Sequence, residues 1–294
     1  MSAHRLQRYQ EALEAEAEKF SKLTAEHIKS VNSVGTGLEP ITDEEFKQKF
    51  QKLHDQVGQW CRKAFRQKEL RPFEELDKYV QNVLQHRAQE DCGIKFAQMA
   101  EIILWTFFED IFLAWFPGFP KEVVSHIKGL NDHILCGDRS NNKDRSEFWR
   151  AYTASMLFQM DSTTIMLNSC EEDAQIILRL LTTMPTTPLD IDDDSYLAFV
   201  DILRNVRRLA AELRCQRSIY EVEQDIHVHQ PYDDATMTDV QFSAGLDDDE
   251  EVEKRQAVIT AVIAKGIVKR PYPGSKEVYA VISKPRVKIA FTNV

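Results

Sequence analysis

The segment Ile94–Phe119 constrains the fold of this chain more than any other stretch. Eight aromatic residues lie within it, namely Phe96, Trp105, Phe107, Phe108, Phe112, Trp115, Phe116 and Phe119. A buried Phe or Trp stabilises a fold by roughly 1.5–3 kcal/mol, and apolar residues here cover almost every angle of a helix. Because Glu101, Glu109 and Asp110 interrupt the run, a membrane span of about 20 apolar residues is excluded. The segment therefore predicts a central, buried helix over 94–116.

Helical periodicity dominates the chain outside this segment. A capping box at Thr42–Glu45 precedes apolar residues at steps of three or four, and a last long core helix is predicted over 195–222. With only 10 Gly and 10 Pro in 294 residues, the composition does not favour an all-β or loop-rich protein. The sequence predicts an all-α fold, a bundle of about seven or eight helices, with a small C-terminal β-hairpin.

Composition shifts divide the chain into four predicted parts. They are an N-terminal charged helix with its linker (1–37), a helical core domain (38–225), an acidic connecting segment (226–250), and a C-terminal helix plus β-hairpin docked on the core (251–294). Residues 4–31 show a short apolar repeat that fits either an amphipathic helix packed on the domain or a coiled coil between copies. Because no Lys or Arg occurs from Glu221 to Glu253, we expect the acidic segment to be a solvated connection.

The C-terminal tail changes in both pattern and charge. We expect a helix within 251–266, and the β-rich runs 267–270 and 278–282 flank a turn, which predicts a hairpin with 286–291 as a possible third strand. From Lys265 onward the chain holds seven Lys or Arg and one acidic residue. The resulting interaction candidates are Lys269, Arg270, Lys276, Lys284, Arg286 and Lys288. This basic tail either folds against the acidic segment or contacts nucleic acid.

Overall composition narrows the class of partner. A formal net charge of −10 argues against bulk attraction to nucleic acid or to an anionic membrane. The polar N-terminus shows no signal peptide, and the five cysteines are scattered without a C-x-x-C motif. These features indicate reduced thiols and a cytoplasmic or nuclear protein without a membrane role.

Two weak metal candidates were weighed against structural roles. Asp190, Asp193 and Asp194 have oxygen ligands suited to Mg²⁺, as in a helical enzyme of terpene-synthase type, but acids at this position are more typical of helix capping. The pair His227 and His229 has a spacing compatible with Zn²⁺ on a strand, but no cysteine lies nearby. We therefore predict no cofactor and no metal, and regard these residues as capping acids and surface histidines.

The pair Trp149-Arg150 is open to two interpretations. An Arg beside a Trp in a cleft can bind an anion, whereas a core Trp is more often followed by an Arg that pairs with an acid.

Several short motifs resemble those of a large group of filamentous-fungal (ascomycete) proteins. The resemblance is carried by Trp149-Arg150, by the run Leu213–Tyr220, and by the tail motifs Gly266–Lys269, Pro273-Gly274 and Val281-Ile282. Proteins of that group are helical, have a C-terminal β-hairpin tail and have no established activity. The resemblance implies an intracellular fungal helical protein and transfers no catalytic residue.

The function predicted from the sequence is a non-enzymatic, intracellular protein-interaction or regulatory protein that binds a protein partner or itself. No phosphate-binding, nucleophile-elbow or zinc-protease motif occurs in the chain. The alternatives are nucleic-acid binding through the basic tail and, less favoured, the Mg²⁺-dependent enzyme. If no macromolecule binds, we expect a ligand pocket beside Trp105, Trp115 and Trp149.

Overall fold

The architecture was read from a computed structural model of the chain. The residues that it describes are 41–66, 68–89, 93–117, 119, 122, 124–129, 149–156, 164–189, 191–216, 218–240, 255–270 and 279–293. The predicted N-terminal helix and linker (1–37) and the acidic run 247–251 lie outside these residues. Thr42–Val294 forms one compact unit.

Helices account for the larger share of the described chain. Their bounds are α1 Asp43–Ala64, α2 Lys78–Arg87, α3 Phe96–Leu113, α4 Thr164–Thr182 and α5 Asp193–Arg214, with a 3₁₀ turn at Phe73–Glu75 and helical stretches at 124–129 and 149–156. The capping box predicted at the start of α1 is confirmed. The Glu45 N–H donates to Thr42 Oγ1 at 3.2 Å, and Glu45 Oε2 accepts from the Thr42 N–H at 2.8 Å.

Helix α3 lies at the centre, as the aromatic segment predicts, although it ends at Leu113 rather than 116. Ala100, Ile102, Ile103, Leu104 and Phe108 are completely buried. The helix packs against α1, α2 and α5 and also against two strands, Ile219–Val222 and Arg255–Ala264. Since it is covered from several directions, it cannot show one narrow apolar stripe, which explains its nearly all-round apolar sequence.

The prediction of an all-α fold is wrong, because the described chain also contains two three-stranded sheets. The strands are β1 Ile219–Val222, β2 Thr238–Asp239, β3 Arg255–Ala264, β4 Ile267–Arg270, β5 Ala280–Ser283 and β6 Arg286–Asn293. One sheet has the order β1-β4-β5 and the other the order β2-β6-β3. The pairs β1–β4, β4–β5 and β3–β6 are antiparallel, whereas β2 runs parallel to β6.

The largest error concerns the helix predicted within 251–266, where the structure has strand β3. Ile259, Val262 and Ile263 are buried together with Thr260 and Ala261 between them. A strand buried on both faces gives a continuous apolar run, which periodicity alone cannot distinguish from a buried helix. The helix predicted over 195–222 is also too long. It ends at Arg214, and residues 219–222 form strand β1.

The C-terminal hairpin is present and is longer than predicted. Strands β3 and β4 follow one another across Lys265-Gly266, and β5 and β6 follow one another across Lys284-Pro285. One arm consists of β3 and β4, and the other of β5 and β6. Since β3 pairs with β6 and β4 with β5, the two arms form one long hairpin, which is interrupted where β3 meets β4 and β5 meets β6. We call this unit (255–270 with 280–293) the kinked ribbon. Strand β6 therefore extends the hairpin and pairs with β3, rather than adding a third strand to β4–β5.

Gly266 allows the arms to approach closely at the kink. A Cβ at this position would lie 2.8 Å from the Ser283 carbonyl oxygen and 2.9 Å from Pro285 Cδ. We expect Gly266→Ala to lower the free energy of unfolding by about 1–3 kcal/mol, the usual cost of overpacking a tight site. The control is Gly129→Ala, whose new Cβ meets nothing within 4 Å. Urea denaturation should show no loss for the control, and equal losses for both variants would contradict the packing argument.

Residues 226–240 are packed, contrary to our expectation of a solvated connection over 226–250. Ile226 and Val262 belong to one buried cluster, against which Tyr232 and Met237 pack. Backbone hydrogen bonds attach the segment to the free edge of β3, with the Tyr232 N–H donating to the Ala257 carbonyl at 2.9 Å. Covering an edge strand in this way prevents it from pairing with another chain. Residues 241–254 lie outside the described part of the chain.

Among the described helices, none has both the length and the apolar composition that crossing a bilayer requires.

Candidate functional site

The aspartates that we considered as Mg²⁺ ligands lie at the start of α5. Asp192 is its N-cap and accepts a hydrogen bond from the Ser195 N–H at 2.7 Å. Hydrogen bonds from the side chain and then from the backbone of Ser195 lower the pKa of the Asp192 carboxyl group. Asp193 and Asp194 lie in the first turn, where their charge complements the helix dipole. Asp190 lies outside the described residues. At this helix start Asp192 is the cap, and the described candidates Asp193 and Asp194 follow it in the first turn.

The two histidines considered as Zn²⁺ ligands are exposed and are used in different ways. His229 Nδ1 lies 2.9 Å from Gln89 Nε2, and the His229 N–H donates to the Ile259 carbonyl. The His227 N–H donates to Gln230 Oε1 at 3.1 Å. Within the described ranges, no three His, Cys, Asp or Glu side chains come together in a group suited to a metal ion.

The basic residues proposed as interaction candidates in the tail are engaged within the fold. Their contacts are Lys269–Asp43 at 3.0 Å, Arg270–Glu221 at 2.9 Å, Arg286–Glu101 at 3.0 Å, Lys284 Nζ to the Asp234 carbonyl at 2.9 Å, and Lys288 Nζ to the Gly93 carbonyl at 2.8 Å. Lys276 lies outside the described residues. Two of these contacts, Lys269–Asp43 and Arg286–Glu101, join the kinked ribbon to α1 and α3, whereas Arg270 and Lys284 remain exposed beside their partners.

Arg150, for whose guanidinium we considered an acid or an anion as partner, contacts carbonyl groups. Its guanidinium donates to the carbonyl oxygens of Arg214 and Gln216, at 2.7 and 3.0 Å, at the end of α5. Arg214 in turn donates from Nε to the Ala114 carbonyl at 3.0 Å, just after the end of α3. Cations at helix C-termini are stabilised by the free carbonyl groups found there. The two arginines thus fix the chain where α3 ends and the next turn begins.

That turn forms part of a solvent-open pocket of about 590 Å³, which we call the aromatic cleft. Residues from five parts of the chain line it, and those used below are Phe107, Asp110, Trp115, Phe119, Lys128, Asp173, Ile176 and Arg207. The first four come from the second half of α3 and the turn after it, and the others from the helical stretch 124–129, from α4 and from α5. Its volume falls within the range of pockets that bind ligands or anchoring side chains.

Aromatic rings supply much of the wall of the cleft. Phe107 packs against Tyr79 of α2 with ring centroids 5.3 Å apart, and Trp115 packs edge-on against Phe116 at 6.1 Å. Because these rings are held by neighbouring rings, their cleft-facing surfaces are fixed before any ligand arrives. A preformed apolar wall reduces the ordering cost of binding.

The charged groups of the cleft are few and are separated. Lys128 Nζ lies 5.6 Å from the centroid of the Trp115 ring, and Arg207 forms an ion pair with Asp173. Partial burial and the nearby Glu109 carboxylate raise the pKa of Asp110. A ligand cation beside Asp110 would stabilise the ionised form of the Asp110 carboxyl group, and a ligand carboxylate would pair with Lys128. The arrangement can bind an apolar group and orient its polar ends.

The sequence predicted a ligand pocket beside three tryptophans, and one of the three lies in the wall of this cleft. Trp115 lines it, whereas Trp105 is only 3 % exposed in the core and Trp149 is not among the lining residues. The residues of α4 and α5 were missed because nothing in the sequence places Ile176 and Arg207 beside Trp115. No sequence signal marked Ile176 as a cleft residue, because its 61 % exposure is visible only in the structure.

The described cysteines show no sign of nucleophilic activation. Cys61 and Cys170 are buried, and burial raises the pKa of each thiol. Burial also raises the pKa of Cys215, to about 12. A thiol with a raised pKa is protonated at neutral pH and is a poor nucleophile.

Comparisons of this chain with protein-family models, with curated proteins and with solved structures found no match.

Proposed function

We propose that this chain is a non-enzymatic protein-interaction protein whose aromatic cleft docks an amphipathic helix of another protein. The observation that carries the proposal is an open apolar cleft with a strongly exposed Ile176 at its rim. Helix-in-groove recognition places apolar side chains, spaced by one helical turn, into a cleft of this kind. The cleft would receive the anchoring side chains, and the rim would contact the rest of the partner helix.

The exposed rim favours a macromolecule over a small ligand. Ile176 is 61 % exposed, and Leu113, next to the lining residue Ala114, is 47 % exposed. A small apolar molecule held inside the cleft would contact Ile176, which lines it, but would leave Leu113 in water. A helix lying across the cleft would cover both and gain about 25 cal/mol for each Å² of apolar surface removed from water.

The charges of the cleft define the partner more closely. Lys128 and Asp110 are both exposed and have opposite signs. A partner helix with an acidic residue at one end of its apolar face and a basic residue at the other would pair with both and bind in one direction. Such charge pairs contribute more to orientation and association rate than to affinity.

The structure adds support to this proposal and not to the alternatives from the sequence. The described cations of the basic tail contact groups of the same chain, so nucleic-acid binding gains no support from them. The aspartates considered for a helical enzyme lie at the start of α5, where Asp192 is the N-cap, and they add no support for that enzyme. We also propose a cytoplasmic or nuclear location, on the basis of the scattered cysteines and the resemblance to intracellular fungal proteins.

A selection of helical peptides on the purified full chain tests the proposal. Peptides enriched on the wild-type protein should bind Ile176→Asp at least about tenfold more weakly, which corresponds to 1.4 kcal/mol, because a rim contact is replaced by a charge. The matched control is Leu197→Asp, since Leu197 is 56 % exposed on α5 and does not line the cleft. Fluorescence anisotropy with labelled peptides would measure both dissociation constants.

The selection also separates the competing occupants. Peptides that bind both variants equally well would show that the cleft is not the docking site, and a selection without enrichment would contradict the proposal. Binding of a small apolar dye that displaces no peptide and is lost in Ile176→Asp would reassign the cleft to a small ligand.

A further inference from the structure

His54 is buried in the contact between the helical part of the protein and the kinked ribbon. Only 3 % of the residue is exposed, and its ring lies against the Trp105 ring with centroids 4.1 Å apart. Its Nε2 lies 3.2 Å from Ser283 Oγ on β5, whereas no described residue provides a hydrogen-bond partner for Nδ1. We call this contact between α1 and β5, made by His54 and Ser283, the seam.

Charged groups from α3 and β6 lie near this imidazole and pair with each other. From α3 comes Glu101 and from β6 comes Arg286, and these two form an ion pair at 3.0 Å. Arg62, from α1 itself, also lies near Glu101, and Cys61 is the nearby buried thiol of α1. Strand β5 contributes the Ser283 hydroxyl and no charge, since Lys284 Nζ is directed to the Asp234 carbonyl. Burial, and to a lesser extent Arg286, hold the pKa of His54 well below its ordinary value.

We propose that His54 makes the seam an acid-sensitive contact, which opens when the buried imidazole takes up a proton. The protonated ring would be a second cation beside Arg286 in a site where the Glu101 carboxylate is already paired. Since a buried charge without a partner is costly, the protonated state favours conformations in which water reaches His54. Separation of β5 from α1 is the smallest movement that admits water.

The direction in which stability changes with pH follows from the lowered pKa of His54. A histidine with a lowered pKa in the folded state contributes stability that is complete above its unfolded-state pKa of about 6.5. That contribution is lost as the pH falls below this value, toward the folded-state pKa. In this window the opening equilibrium constant should rise by up to about tenfold for each pH unit.

Hydrogen exchange of backbone amides at pH 7.5, 6.5 and 5.5, corrected for intrinsic exchange rates, tests the proposal on the full chain. Amides of β4 and β5 should lose protection toward pH 5.5 by more than those of α2, which packs mainly on α3. In His54→Gln, which retains a polar side chain but does not titrate, this pH-dependent difference should disappear. An equal loss in α2 and β5, or the same loss in the variant, would overturn the proposal.

A second measurement applies even if His54→Gln does not fold. An NMR titration of ¹³C-labelled histidine in the wild-type protein should show one imidazole that remains neutral as the pH falls through about 6.5, the ordinary pKa of histidine. If every imidazole signal titrates with a midpoint near about 6.5, His54 is not held neutral and the proposal fails.

Discussion

Trp105→Ala is expected to lower the free energy of unfolding by about 3–5 kcal/mol, the usual range for removing a large aromatic side chain from a core. Trp105 is 3 % exposed on α3, lies against His54, and packs edge-on against Phe108 with ring centroids 5.5 Å apart. The alanine would leave a cavity at the contact of α3 with α1, because residues of a rigid core relax only in part. Guanidinium denaturation followed by far-UV circular dichroism would measure the loss.

Trp115→Ala is the matched control, because the same side chain is removed from the half-exposed wall of the aromatic cleft. There the space is already open to water and no enclosed cavity is created, so we expect a clearly smaller loss of stability. A loss below about 1 kcal/mol for Trp105→Ala would show that α3 does not form the centre of the core.

The second large effect is expected at the ion pair between Arg87 of α2 and Glu109 of α3. Both residues are buried, with 8 % and 6 % exposed, and the guanidinium forms two parallel hydrogen bonds to the carboxylate. The Lys265 N–H donates to the same carboxylate at 3.3 Å. We expect Arg87→Met to cost about 3–5 kcal/mol, because it leaves a buried carboxylate without its guanidinium.

A double variant distinguishes this explanation from simple loss of packing. Arg87→Met with Glu109→Gln removes both charges and keeps an amide oxygen that can accept from the Lys265 N–H. If the uncompensated charge is the main cost, the double variant should be more stable than Arg87→Met alone. Additive losses measured by urea denaturation would instead assign the cost to the contacts of the two side chains.

Local sequence signals predicted a helix well where the pattern of the segment itself determines the structure. The capping box at Thr42 and the three- or four-residue spacing that follows it identify α1, and the aromatic segment identifies α3. Strand β3 was misassigned because burial on both faces removes the alternation by which a strand is recognised. Its β-branched residues, Val258, Ile259 and Val262 among them, were the available signal for a strand.

Long-range contacts explain the other errors. Lys269 and Asp43 are far apart in the sequence, so the charge pattern of the basic tail did not reveal that Asp43 is the partner of Lys269. The aromatic cleft likewise brings together α3, α4 and α5, which are far apart in the sequence. In the structure, the exposure of Ile176 is the local feature that points to the cleft. The charge pattern of a segment predicts its solubility and its possible partners, but it does not reveal which charged residues form ion pairs within the folded chain.

Site-specific photo-crosslinking tests the central claim most directly. A benzophenone amino acid replaces Ile176 in one version of the full chain and Leu197 in another, and each is irradiated in a nuclease-treated lysate of the organism that makes the protein. Docking at the aromatic cleft predicts a discrete adduct with another protein from position 176 that is absent from position 197. The same adducts from both positions, only a dimer of this chain, or no adduct from position 176 would contradict it.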